Sequence, residues 1–220
     1  LESQMITAAD ELTTQVTTSI EAYFAGFKNA MRQFSQDSTI VDYDKEAEHA
    51  DLVVKEFKNY LSSHQDVMNV YYGKSDKRMI IYPEQKLPDG YDPTSRGWYQ
   101  DAIAANTVII TKPYMDAATN IPVITIAAPV KNENGLVLGV VGIDLSLSTL
   151  SLQLNEINIG KLGYPILMSD DMIILTHKDE KMINVEIPVQ EIKDAIAKDE
   201  SNGIVTYTYE GARQVALYEK

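Results

Sequence analysis

The spacing of apolar positions changes period along the chain, and each change marks an element. Leu1, Met5, Ala8, Leu12, Val16, Ile20, Tyr23, Phe27, Met31 and Phe34 recur at steps of three and four, the spacing of one helical face. At about 1.5 Å per residue that helix is roughly 50 Å long, well beyond the usual helix of a globular domain. It starts without a capping box, so the pattern predicts a helix that continues upstream of Leu1. Thr13, Thr14, Thr17 and Thr18 form a polar flank with little to mark a coiled-coil seam. A stalk paired with a second copy and a helix packed along its own domain both fit this pattern. After a polar break from Asp37 to Asp44, residues 45–64 are helical again, with Ala47, Ala50, Val53, Val54, Phe57 and Leu61 on one side.

The period then shortens to that of strands. Val67 to Tyr72 and Met79 to Tyr82 flank a turn at Gly73 to Lys77, the signature of two antiparallel strands. Thr107 to Thr111 follows as a strand and Tyr114 to Asn120 as a turn. The apolar runs Pro122 to Val130 and Leu136 to Leu145 are joined by a turn at Lys131 to Gly135, as in the central hairpin of a sheet. Ser146 to Asn155 reads as a connecting helix. Beyond it the order recurs faintly: strands at Tyr164 to Met168 and Met172 to Thr176, a helix over 189–198, a strand at Gly203 to Tyr209, and a last strand only begun at Gln214 to Glu219. The expected fold class is α+β. A long N-terminal helix (1–40) carries two small modules with antiparallel sheets, 41–150 and 151–220, the second truncated.

Composition narrows the function classes. Apolar residues are 45% of the chain, an ordinary globular share that rules against disorder. The net charge of −13 argues against nucleic acid or an anionic membrane as partner. Without cysteine there is no disulfide or thiolate chemistry. His49, His64 and His177 are far apart, lack metal-ligand spacing, and read as surface residues. No metal or cofactor is expected. No apolar run reaches the length of a bilayer span, and no signal peptide is visible.

Candidate chemistry centres on Tyr91-Asp92-Pro93-Thr94-Ser95-Arg96-Gly97-Trp98-Tyr99, which holds the only Trp. Pro93 and Gly97 mark it as loop material, and residues 100–105 as a short helix of strong formers. Arg96 offers a planar fork of donors for a carboxylate, and the aromatics offer flat walls and a donor each. Trp98 and Tyr99 plugging a core, with Arg96 as a cap, explains the same residues. Asp144 ends the apolar strand Val137 to Ile143, where a carboxylate is costly to bury unless partnered. Its ordinary role is to cap the segment starting at Ser146, and that of Asp116 is to shape a turn. Together, one anion receptor and two acidic positions flanked by Tyr are the parts needed to hold a zwitterion.

These residues resemble the double-Cache extracytoplasmic sensor domains of bacterial chemoreceptors and sensor kinases, over nearly the whole chain. The carrying motif is the amino-acid signature of that family, matched by Tyr91, Arg96-Gly97-Trp98-Tyr99, Tyr114 and Asp144. Lys112 to Thr119 and Gly139 to Asp144 are also similar to it. The resemblance implies that Tyr91, Arg96 and Trp98 hold a ligand carboxylate, that Tyr99, Tyr114 and Asp144 hold its amine, and that Asp116 adds an amine contact. It implies a sensor, not an enzyme, that binds a free L-amino acid in the membrane-distal first module. It further implies a homodimer through the first helix, with flanking transmembrane helices absent from this chain. A sensor for a carboxylate or an amine alone, a hydrolase using Asp116 and Asp144, and a purely structural dimerisation module are the alternatives. No nucleophile elbow or phosphate loop supports the hydrolase.

Overall fold

The computed structural model describes residues 2–157, 159, 163–198 and 200–220. Leu1, and the side chains of Met5 and Ala8 on the predicted helical face, lie outside the described residues. The helices are α1 (Glu2–Gln36), α2 (Ser38–Val41), α3 (Ala47–Ser63), α4 (Gly97–Ala105), α5 (Leu147–Asn155) and α6 (Gln190–Ile196). The strands are β1 (Val67–Lys74), β2 (Met79–Tyr82), β3 (Ile109–Ile110), β4 (Tyr114–Met115), β5 (Pro122–Lys131), β6 (Val137–Ser146), β7 (Leu167–Met168), β8 (Ile174–Thr176), β9 (Asn202–Tyr209) and β10 (Ala212–Glu219). The architecture is α+β with a long first helix and antiparallel sheets. The chain divides into two compact units, residues 25–150 and residues 1–24 with 151–220.

The unit of residues 25–150 is built on one sheet in the order β2-β1-β6-β5-β3, with β4 also paired to β5. β5 and β6 form the expected hairpin and sit centrally, so their residues are buried on both faces. That explains why both runs read as continuously apolar. Because side chains alternate across a strand, one face carries Val70, Tyr72, Ile124, Ile126, Val141 and Ile143, all buried. The opposite face is set by register. Asn69, Asp144 and Thr125 lie in one row across β1, β6 and β5, and Ile81, Tyr71, Gly142 and Ala127 in the next. This second face carries Asp144 and Tyr71 of the candidate site.

The polar break after α1 contains the short helix α2, which periodicity alone did not reveal. Asp37 caps it by accepting from the Thr39 N–H at 2.8 Å. The turn after β1 is closed by charge. The Lys74 ammonium is buried and pairs with Asp44 and Asp76, while Arg78 reaches Asp44 at 2.6 Å and Asp76 at 2.5 Å. A buried lysine persists only when so paired.

In the other unit, Ile174, Ile187, Val189, Ile192 and Val205 form the core. β10 pairs with β9 along its whole length, from Ala212↔Tyr209 to Glu219↔Asn202. The last strand therefore starts two residues before the expected Gln214 and is a full partner of β9 up to Glu219. The histidines differ from expectation too. His49 and His64 are half-buried, with Nδ1 2.7 Å from the Asp42 carbonyl and 2.9 Å from the Tyr60 carbonyl. His177 is half-buried against the Tyr164 ring.

Candidate functional site

The motif segment is locally determined. Asp92 accepts from the Thr94 N–H at 2.9 Å and the Thr94 hydroxyl at 2.6 Å, capping a short 3-10 turn over Pro93–Ser95. Pro at the first position suits such a start. Arg96 follows as the N-cap residue of α4, its carbonyl accepting from Tyr99 and Gln100 while its side chain caps nothing. The Trp98 ring lies over β1. A Cβ at Gly73 would fall 2.6 Å from it and 2.9 Å from Pro93, so only glycine lets the ring seat there. Trp98 also meets Tyr71 edge-on at 4.9 Å between centroids.

Asp144 is buried in β6, 3% exposed. Its Oδ1 accepts the Thr125 hydroxyl at 2.5 Å and the Tyr71 hydroxyl at 2.8 Å. The Tyr114 hydroxyl lies 2.6 Å from the Thr125 Oγ1. Since Thr125 gives its proton to Asp144, Tyr114 is the donor in that contact. Tyr71 reaches Asp144 by lying across β6 at Gly142, where a Cβ would meet its ring at 2.7 Å. The cross-strand neighbour Asn69 is fully buried, and neither amide atom has a hydrogen-bond partner. Burial pushes the Asp144 carboxyl up to about 6. The Thr125 and Tyr71 hydroxyls pull it the other way, Asp116 raises it further, and the Asn69 amide lowers it without reaching hydrogen-bond geometry. A helix cap it is not, for Ser146 caps α5 by accepting from the Thr149 N–H at 3.1 Å.

Both charged groups border one cavity. Its lining includes Tyr91, Arg96, Trp98, Tyr114, Asp116 and Asp144 from the sequence-derived set, with Tyr71, Met79, Ile81, Gln85, Leu87 and Ala117 added. The Arg96 Nε is buried there without a hydrogen-bond partner, and its guanidinium sits 5.7 Å from the Tyr91 ring centre. Burial raises the Tyr91 hydroxyl, and the neighbouring Trp98 side chain and Arg96 charge oppose this. Asp116 serves two purposes. Its Oδ2 shapes a turn by accepting from Thr119 N–H at 2.8 Å and Thr119 hydroxyl at 2.6 Å, and the residue also borders the cavity.

Tyr99 stands apart. It is 7% exposed and packs with Trp98, Ala102 and Ala127 in the core beside the cavity without lining it. Successive helical residues point about 100° apart, and here Trp98 borders the cavity while Tyr99 turns into the core. Tyr71, Met79 and Ile81 could be found from strand alternation, since all three face the same side. Gln85 and Leu87 lie in a segment without periodicity and left no signal.

The cavity is small, about 10 Å³, room for about one water molecule. A far larger open groove, about 980 Å³, is lined by Arg32, Asp42, Tyr43, Lys74, Asp76 and others. It holds none of the motif residues, and its buried lysine is already satisfied by carboxylates. The smaller cavity, where buried polar atoms of Arg96 and Gln85 lack partners, is therefore the candidate site. Among the described residues no group of His, Cys, Asp and Glu is placed to hold a metal ion.

Comparison with known proteins bears on this arrangement. The sequence model described as "Methyl-accepting chemotaxis protein-like, first PDC sensor domain" matches residues 37–152, more than half of the chain. The chain is 28% identical over its full length to the methyl-accepting chemotaxis protein McpA of Bacillus subtilis, covering 32% of it. It is 40% identical over 116 residues, 53% of the chain, to McpG of Pseudomonas putida, covering 18% of that protein. It thus spans about a third or less of the length of these relatives. Among solved structures, it is similar to the ligand-binding domain of the Pseudomonas fluorescens chemoreceptor CtaA in complex with L-serine, with a TM-score of 0.81, 28% identity, and 98% of this chain and 89% of that one covered. It is also similar to the ligand-binding domain of the Pseudomonas aeruginosa amino acid chemoreceptor PctB in complex with L-Arg, with a TM-score of 0.78, 27% identity, and 94% and 84% covered. The chain therefore belongs to the methyl-accepting chemotaxis protein-like PDC sensor domains, a family of sensors and not of enzymes.

Proposed function

We propose that the chain is the extracytoplasmic sensing part of a chemoreceptor, with residues 41–150 as its membrane-distal module and 151–220 as its membrane-proximal one. In this reading the distal module binds a free L-amino acid between Arg96 and Asp144. One observation carries it: a guanidinium with an unpartnered buried Nε and a buried carboxylate border the same cavity. The ligand carboxylate docks on Arg96 beside Tyr91 and Trp98, where a planar fork meets a planar anion. The ammonium docks on Asp144, whose Oδ1 is held by two hydroxyls while Oδ2 is left for another donor. The hydroxyl oxygens of Tyr71 and Tyr114, having given their protons inward, keep lone pairs for the same ammonium, and Asp116 adds charge. The likeness to domains solved with L-serine and L-Arg supports an amino acid as the ligand.

The cavity's size supplies a way to signal. Room for one water does not admit an amino acid, so ligand binds only a more open arrangement of the wall. Pro83 to Gly90, exposed except for Gln85 and Leu87, is a stretch of that wall without regular structure. A ligand shifts an equilibrium only by its differential affinity for two states, and here the states differ in cavity volume. The first helix, paired with that of a second copy, carries the change through membrane segments outside this chain. Among the described residues no helix is long and apolar enough to cross a membrane itself.

The test is a thermal-shift screen of the twenty common amino acids. The best ligand is then titrated beside its deaminated acid and its decarboxylated amine. The zwitterion is expected to bind at least about a hundredfold tighter than either half, since each half leaves one buried charge unpaired. A half that binds equally well makes this a carboxylate or amine sensor instead.

The raised Asp144 carboxyl adds a pH dependence. In the free protein it titrates near 6, and a bound ammonium favours its charged form. Binding therefore expels a proton below that value and none well above it. Affinity is full above about pH 7 and is lost as pH falls through 6, approaching tenfold per pH unit. Calorimetry in buffers of different ionisation enthalpy should find close to one proton released at pH 5 and almost none at pH 7.5. Equal release at both values removes Asp144 from the ammonium site.

A further inference from the structure

Beyond its two charged corners the cavity has a third wall, and its chemistry differs. The wall is formed by Met79, Ile81, Gln85, Leu87 and Ala117. Register fixes where it stands relative to the acid. Ile81 pairs with Tyr71, Met79 pairs with Gly73, and β1 in turn pairs with β6, which carries Asp144. β2 is the edge strand of the sheet, so Met79 and Ile81 lie two strands away from Asp144 on the same face. Just past β2 the chain runs through Pro83 to Gly90, where Gln85 and Leu87 turn inward between exposed neighbours.

Within this wall the Gln85 Oε1 is buried and has no hydrogen-bond partner. An acceptor left so costs free energy unless a donor arrives. The charged members of the lining are Arg96, Asp116 and Asp144, and the amino-acid reading uses all three for the ligand's main-chain ends. The third wall is left with four apolar residues and one amide.

We infer that the ligand's side chain lies against β2 and the Pro83 to Gly90 segment, that acidic side chains are rejected there, and that Gln85 is the residue that grades the neutral ones. The inference rests on the amino-acid reading of the site. A second carboxylate would leave water to face apolar groups and a carbonyl oxygen, with two acids nearby and the only guanidinium already taken. An aliphatic side chain packs on Met79, Ile81 and Leu87. A side chain carrying an N–H or O–H satisfies the Gln85 Oε1 and so recovers part of what it loses on desolvation.

Calorimetric titration of wild type and Gln85→Met with L-alanine, L-leucine, L-asparagine and L-glutamate tests this. Methionine keeps the length and removes the acceptor. In wild type, glutamate should bind at least about a hundredfold more weakly than leucine, the order of a buried unpaired charge. In the variant, asparagine should lose about tenfold relative to leucine, the order of one hydrogen bond. Alanine, too short to reach Gln85, should change less than about threefold. Glutamate binding as well as leucine, or an equal loss for alanine, leucine and asparagine in the variant, overturns the inference and leaves the amino-acid site standing. No binding of any of the four to wild type overturns the underlying reading, and the inference with it.

Discussion

Arg96→Ala is expected to abolish amino-acid binding, with a loss of at least about a hundredfold in affinity and no comparable loss of folding. The guanidinium is positioned by its place at the start of α4, between the capped turn at Asp92 and the helix itself. Its Nε has no partner in the fold, so its removal breaks no hydrogen bond there. What it removes is the counter-charge for a carboxylate brought out of water, and stripping one member of such a pair costs on the order of 2–5 kcal/mol. Arg96→Lys should recover only part of this, since an ammonium is a point charge and cannot match both carboxylate oxygens. Calorimetry gives the affinity, and the melting temperature without ligand shows whether the fold survives. An unchanged affinity in Arg96→Ala rules out the carboxylate assignment.

Asp144→Asn should produce the second large effect, with a selectivity that a folding defect cannot imitate. Asparagine keeps an Oδ1 for the Thr125 and Tyr71 hydroxyls and turns an N–H2 toward the place of the ligand ammonium. Amino-acid affinity should fall by about a hundredfold or more, through lost charge pairing and a donor facing a donor. The deaminated acid, which never used Asp144, should bind the variant as well as wild type or better, because a buried negative charge near it is gone. The free variant should melt no lower than wild type at neutral pH, since burial already disfavours the ionised carboxyl there. If amino acid and deaminated acid weaken equally, Asp144 acts on the shape of the site and not on the ammonium.

Much of the fold was legible because its elements differ in period. The steps of three and four over α1 and α3, and the long apolar runs of β5 and β6, follow directly from what each element buries. Boundaries were less legible. α2 is a single capped turn, and β10 begins at Ala212, within the stretch that read as a turn. At the site, charge and proline-glycine punctuation made Arg96, Asp116 and Asp144 conspicuous, and one cavity brings all three together. Tyr99 was expected at the ligand amine only because the family resemblance implies it, and the helical turn sends it into the core beside the cavity. The requirements at Gly73 and Gly142 were invisible, for only the packed rings of Trp98 and Tyr71 forbid a Cβ there. Gln85 was missed for the opposite reason. It sits in an irregular segment and is defined only by what surrounds its amide.

A crystal structure of the protein grown with its best amino-acid ligand tests the central assignment most directly. The account predicts the ligand carboxylate within hydrogen-bond reach of the Arg96 guanidinium and its ammonium within reach of Asp144, with the Pro83 to Gly90 segment moved outward to make room. A ligand bound elsewhere, or one reversed so that its ammonium avoids Asp144, contradicts it.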